Sequence, residues 1–305
     1  MLIGLGIVHI VLTLFAGPFL DGFTRKYIKA NLAHSREGPL VGPWQTFVDL
    51  FKLLGKEDLF TAGGIISLQM LAPLVALSSA LVASLMVPLS GIAPLGAQSD
   101  MIVFLYTIGL GAVAVVIGAM ATGSPYAYAG SLREISLYLI VEPVLMLAML
   151  GAMALSRSLH LEDQLRWHYA QGFSLPMLIG AVAVFVALQA QFGKLPFDIA
   201  EAEQEVISGP FIEISGPRLA LLRWFFLSRQ FVFAGLFCTV FLPWGLTAYP
   251  VVNLLITLVK IFVVYSLIGL IDAVMPRVRI DQALRVYFAV LIIALLGAVL
   301  AFVSA

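Results

Sequence analysis

Residues 101–121 read Met-Ile-Val-Phe-Leu-Tyr-Thr-Ile-Gly-Leu-Gly-Ala-Val-Ala-Val-Val-Ile-Gly-Ala-Met-Ala, without one charged side chain. Inside this run, Gly109-Leu110-Gly111-Ala112-Val113-Ala114 superficially matches a dinucleotide-binding fingerprint. That fingerprint needs a preceding strand and a downstream acidic partner, and a continuous apolar run supplies neither. A length of about 20 apolar residues is what an α-helix needs to cross the hydrocarbon of a bilayer. The stretch therefore reads as a membrane span whose glycines allow helices to approach closely.

Working outward, seven more stretches qualify: 3–20, 65–90, 135–155, 175–192, 225–246, 251–272 and 284–304. The whole chain is 61% hydrophobic and 11% charged over 305 residues, against about 25% charged in soluble domains. The predicted fold is an all-α integral membrane protein, a single domain over 1–305 with eight transmembrane helices. The first stretch lacks a basic n-region, Arg25 being the first cation, so it reads as a retained span and not a cleaved leader.

The cations orient this bundle. Arg25, Lys26, Lys29, Arg36, Lys52 and Lys56 fall between spans one and two, and Arg133 falls in the next loop on that side. Lys194, Arg218 and Arg223 follow in the third, with Arg229 just inside the next span, then Arg277, Arg279 and Arg285 in the fourth. The other side holds Arg157 and Arg166. By the positive-inside rule the loops 21–64 and 193–224 are cytoplasmic and both termini face outward, in a cell inner membrane. Within the first loop, Trp44, Phe47, Val48, Leu50, Phe51 and Leu54 recur at helical spacing around Gln45, Asp49 and Lys52. That pattern predicts an amphipathic helix lying in the membrane interface.

Lys+Arg and Asp+Glu balance at 17 each, so net charge names no partner, and no nucleic acid is expected. Cys238 is the single cysteine, too few for an iron–sulfur cluster or a disulfide. His9, His34, His160 and His168 show no metal-ligand spacing. No nucleophile constellation stands out either, so the chain is expected to hold no catalytic residue, metal or cofactor of its own.

Charges at membrane depth call for a reason. Lys260 falls mid-way in span seven and is expected to face the bundle interior, paired or hydrated. Glu142 lies about eight residues into span four, ahead of Pro143, which removes a backbone donor. Asp21 and Asp272 end spans one and seven, where interfacial solvation is the plain reading. The densest site is Gly193-Lys194-Leu195-Pro196-Phe197-Asp198-Ile199-Ala200-Glu201-Ala202-Glu203-Gln204-Glu205. Asp198 suits the N-cap of a short helix; Glu201 and Glu205 would share a face, and Glu203 points elsewhere. Such crowding raises carboxylate pKa values, as an ion path requires, and a solvated acidic helix fits the spacing equally. Arg133, in Ser131-Leu132-Arg133-Glu134, either bridges to this loop or snorkels to the interface.

Gly193 to Asp198, Glu201 to Glu205, Gly209 and Glu213-Ile214-Ser215-Gly216 together resemble the signature of the quinone-chamber (NuoH-type) subunit of respiratory complex I. Pro276-Arg277-Val278-Arg279-Ile280-Asp281-Gln282 and Lys260 fit the same family, and the resemblance covers nearly the whole chain. Thr122-Gly123-Ser124-Pro125, Gly130 to Glu134 and Val141-Glu142-Pro143 look like its hydrogenase branch, the formate hydrogenlyase subunit 4 type. Asp272 stands where quinone-reducing relatives usually carry arginine.

The resemblance implies a membrane anchor without a redox centre of its own. Its partners would be a [NiFe] hydrogenase large subunit, an iron–sulfur small subunit and antiporter-like membrane subunits, with the [NiFe] centre and iron–sulfur clusters in those partners. Ion coupling would fall to Glu142, Asp198, Glu201, Glu203, Glu205, Glu213, Lys260 and Asp272. Arm docking and loop ordering would fall to Arg36, Asp49, Arg133, Glu134, Lys194, Arg277, Arg279 and Asp281. The alternative is the quinone-chamber subunit of a proton-pumping NADH:quinone oxidoreductase. A stand-alone secondary transporter is more remote, since no internal repeat is evident.

Overall fold

The computed structural model describes residues 2–29, 42–61, 63–199 and 209–304. Within them the chain is helical throughout, with one isolated antiparallel bridge between Asp100 and His160. The helices are α1 (Leu2–Phe23), α2 (Gln45–Leu54), α3 (Ile66–Met86), α4 (Met101–Met120) and α5 (Pro125–Ser156). They continue with α6 (Leu161–Gln171), α7 (Leu175–Gln191), α8 (Gly216–Val240), α9 (Pro250–Val274) and α10 (Ile280–Ser304).

Seven of these, α1, α3, α4, α5, α8, α9 and α10, are long and apolar enough to cross a membrane. The fifth predicted span is α7, which has 17 residues and so rises only about 25 Å.

Three boundaries differ from the sequence reading, each for a local reason. Helix α5 begins at Pro125, ten residues early, because proline at the first turn forgoes a donor that no helix uses there. Arg133 and Glu134 therefore lie inside the helix and not in a loop before it. Helix α8 likewise starts at Gly216 with Pro217 in its first turn and stops at Val240. That places Arg218, Arg223 and Arg229 on one continuous helix. The expected amphipathic helix appears as α2, with Phe47 and Leu50 buried while Val48 and Phe51 are exposed. Helix α6 is a surface helix that the span pattern did not predict.

The core gathers around α8, which packs against α1, α2, α3, α7 and α9, while α5, α7 and α10 form a second group beside it. Close approach is set by residues without side chains. A Cβ on Gly17 would sit 2.5 Å from the Leu227 carbonyl oxygen, so α1 reaches the α8 backbone only with glycine there. A Cβ on Gly130 would meet the Gly209 carbonyl carbon at 2.5 Å, so the same device seats the turn Gly209–Phe211 on α5.

Arg218 fastens the basic end. Its Nε donates to Asp58 Oδ1 at 2.6 Å, Nη1 to Gln69 Oε1 at 2.7 Å and Nη2 to the Leu59 carbonyl at 2.5 Å. The guanidinium also lies 3.9 Å from the Phe60 ring centroid. A buried charge is tolerable only when its donors are met, and these bonds tie the segment before α3 to α8.

Candidate functional site

The segment that follows α7 is held from three directions. Lys194 Nζ donates to Asp21 Oδ1 on α1 at 2.5 Å. The Leu195 amide donates to Asp272 Oδ1 on α9 at 3.0 Å. The Val278 amide donates to the Pro196 carbonyl at 3.0 Å, and Arg277 Nη2 donates to Asp198 Oδ2 at 2.8 Å. The Leu195–Pro196 peptide is cis. The motif at 193–198 and the motif at 276–282, remote in sequence, are thus one assembly. Asp21 and Asp272 both lie buried inside it instead of solvating span ends.

Arg133 joins that assembly by lining a cleft of about 270 Å³ with Ile199, Arg277, Arg279 and Asp281. Asp281 also occupies the first turn of α10, where its charge suits the helix N-terminus. Glu201, Glu203 and Glu205, the helix that Asp198 was expected to cap, and Arg36 lie outside the described residues. Glu213 is half-buried in the short turn before α8.

Beside the Asp21–Lys194 pair lies a chamber of about 230 Å³ at the basic end. Its charged lining is Asp21, Arg25, Asp49, Lys194 and Arg223, joined by Thr46 and Gln230 and set against Phe192, Phe211 and Phe226. Asp49 is steadied by Gln45 Nε2 at 2.8 Å and lies 3.9 Å from Arg25. Both members of that last pair are solvent-exposed, so it orders the chamber mouth more than it stabilises the fold.

Behind the chamber wall, Arg229 Nη1 stands 3.7 Å from Glu134 Oε1, with both side chains largely buried. The Arg229 guanidinium lies 4.6 Å from the ring centroid of Phe226, a chamber residue. From Glu134 the sequence of α5 continues in steps of four, to Tyr138 and then Glu142, so the three share one helix face. The Tyr138 hydroxyl and Glu142 Oε1 face the same point on α4, both within 4 Å of where a Cβ on Gly109 would sit. Gly109 on α4 makes room, since a Cβ there would collide with the Tyr138 hydroxyl. Arg229, Glu134, Tyr138 and Glu142 form a polar file running from the chamber wall along α5.

Lys260 belongs elsewhere. Its Nζ donates to the Leu242 carbonyl at 2.6 Å and to the Trp244 carbonyl, just beyond the end of α8. These carbonyls lie past the last helical residue and carry partial negative charge, so a cation there needs no carboxylate. Lys260 and Glu142, expected to act in sequence, have separate partners among the described residues.

Sequence reasoning overlooked Asp21, Arg229 and Tyr138 as site residues. Asp21 sits in no motif, and its partner is 173 positions away. Tyr138 had a signal, the step of four from Glu134, that only gains meaning once α5 is known to begin at Pro125.

Residues 3–303 match the NADH dehydrogenase family. The chain belongs to that family. It is 34% identical to hydrogenase-4 component C of Escherichia coli over 278 residues, covering 88% of this chain and 86% of the relative. It is 34% identical to formate hydrogenlyase subunit 4 of the same organism, covering 91% and 92%. A NADH-quinone oxidoreductase subunit of Granulibacter bethesdensis is 30% identical, covering 86% and 80%. Among solved structures, a chain of the membrane-bound sulfane sulfur reductase, an archaeal respiratory membrane complex, superposes with a TM-score of 0.88. That match has 28% identity and covers 98% of this chain and 99% of the other. The resemblance drawn from the loop motifs is therefore the family of the chain, a multi-pass membrane protein.

Proposed function

We propose that this chain is the membrane anchor and ion-coupling subunit of an energy-converting [NiFe] hydrogenase complex. In this reading the basic end faces the cytoplasm and docks a peripheral arm made of the [NiFe] large subunit and an iron–sulfur small subunit. Antiporter-like subunits adjoin it in the membrane. Helix α7 is the eighth crossing, and both termini lie on the outer side.

One observation carries the coupling role. The segment 193–198 is bonded at once to α1, α9 and the link before α10, and a polar file, buried at Arg229 and half-buried from Glu134 to Glu142, leads from its chamber along α5. A change of charge in the docked arm acts on Asp198, Glu201, Glu203, Glu205 and Glu213. It reaches the Arg229–Glu134 pair through the chamber, and Glu142 receives or releases an ion at membrane depth. Lys260 holds the α8–α9 connection against which that movement works. The hydrogenase relatives, together with Asp272 bonded to Leu195, favour this branch.

A quinone-reducing subunit is the second reading, supported by the aromatic wall of the chamber, Phe192, Phe211 and Phe226. The deciding experiment is affinity purification of the tagged chain in mild detergent, with assays for hydrogen evolution from a reduced viologen. Co-purifying nickel with hydrogen evolution supports the hydrogenase reading. Co-purifying flavin with quinone reduction replaces it by the second. In liposomes, Glu142→Gln and Glu201→Gln complexes should evolve hydrogen while moving fewer ions per turnover.

A further inference from the structure

Three helices each bring an unsatisfied polar group close to Phe192, a residue of the chamber wall. Tyr265 on α9 is 3% exposed, and its hydroxyl has no hydrogen-bond partner among the described residues. Its ring meets Phe192 with centroids 4.8 Å apart, and it lies within electrostatic reach of Asp21. Gln230 on α8 donates Nε2 to the Phe192 carbonyl at 2.7 Å while its Oε1 is unmatched among the same residues. Gln189 on α7, one turn before Phe192, is 4% exposed with both amide atoms unmatched among them.

Buried polar groups are bonded in the great majority of cases, and a lone one destabilises the fold. Aliphatic side chains would fill these positions without that penalty, so three such groups around one phenylalanine ask for a function. Their location suggests which. Gln230 lines the chamber with Asp21 and Lys194, while the residues next to Gln230 and Phe192, Arg229 and Gln191, line the narrow cavity with Glu134.

We propose that Tyr265 is a proton-relaying residue in this wall, linking the Asp21–Lys194 pair to the Glu134 side. The amides of Gln230 and Gln189 would hold the water that completes the path. A tyrosine hydroxyl is both donor and acceptor. It takes a proton on its oxygen from the chamber side and releases its own proton to water on the far side. It then rotates back, so one proton has moved and the phenol ends neutral. The inference rests on the coupling role proposed above and names a step within it.

The test is Tyr265→Phe in the intact complex, reconstituted in liposomes in sodium-free buffer. Hydrogen evolution from reduced methyl viologen and lumenal acidification are followed together, with Glu142→Gln in parallel. Phenylalanine keeps the ring on Phe192 and removes only the hydroxyl, so a purely structural role predicts unchanged or higher thermal stability and unchanged coupling. The relay predicts hydrogen evolution within twofold of wild type and protons moved per hydrogen formed reduced at least threefold. It also predicts a changed deuterium solvent isotope effect on acidification. Full coupling in Tyr265→Phe with loss in Glu142→Gln overturns the relay alone. Full coupling in both overturns the coupling reading beneath it, and a wild-type complex that moves no protons without sodium overturns the relay too.

Discussion

Lys194 Nζ lies 2.5 Å from Asp21 Oδ1, joining the end of the first helix to a loop 173 residues later. The carboxylate is 10% exposed and the ammonium 25% exposed, so neither charge is well solvated when its partner is lost. Asp21→Asn keeps the shape and removes the charge. It should loosen the 193–198 segment and cost about 1–3 kcal/mol. Limited proteolysis in detergent reads this as faster cleavage within 193–210, and an unchanged cleavage rate would refute it.

The Arg229–Glu134 pair makes a sharper prediction. Removing one partner strands the other charge in the bundle, which typically costs about 3–5 kcal/mol. Arg229→Met alone should therefore destabilise the protein more than Arg229→Met combined with Glu134→Gln. Thermal unfolding of the three proteins in the same detergent tests this, and a double variant no more stable than the single one contradicts it.

Arg218 combines three hydrogen bonds with a ring contact. Arg218→Lys keeps the charge but cannot reproduce the planar fork. The substitution should lower stability by about 2–4 kcal/mol and free the 56–61 segment. Hydrogen–deuterium exchange reports the second effect directly, as lost protection at Leu59 beside unchanged protection in α10.

Lys260 should behave as a clasp on the turn after α8. Lys260→Met removes two charge-assisted bonds just beyond a helix C-terminus, each worth about 1.5–3 kcal/mol. The expected result is a clear fall in thermal stability, partly restored by Lys260→Arg. Full stability with lost ion movement would instead assign Lys260 to the coupling path.

His168 on α6 sets a pH dependence. Burial pushes its imidazole down to about 4. Because the folded value lies below the unfolded one, about 6.5, the group contributes no pH dependence above pH 6.5. Between pH 6.5 and 4 the unfolded chain takes up the proton first, so stability falls by up to about 1.4 kcal/mol per pH unit. His168→Gln should flatten that slope in thermal unfolding measured from pH 7 to 4.5.

Much of this architecture is legible in the sequence, because a bilayer imposes length and composition on whatever crosses it. The positions of α1, α3, α4, α9 and α10 follow the apolar runs within a few residues. At the starts of α5 and α8, by contrast, helices extend beyond the apolar window into charged sequence. Hydropathy registers the solvent, whereas a helix ends where its backbone bonding ends. The loop motifs at 193–198 and 276–282 are equally legible, and their joining by Arg277 and Asp198 gives the resemblance a physical basis.

The partners of the buried charges could not be read in that way. Asp21, Lys194 and Asp272 come from three distant segments, and Arg229 and Glu134 from two. Local sequence sets periodicity, polarity and capping, which act over a turn or two of helix, and these decided the spans, the amphipathic helix and the family. Which cation meets which carboxylate depends on how whole helices rotate and approach, set by glycines such as Gly17 and Gly109 and by the shape of the packed bundle. Those contacts exist only once the tertiary structure has formed, because hydrogen bonds and close ion pairs need their atoms within a few ångströms and chain distance says nothing about that separation.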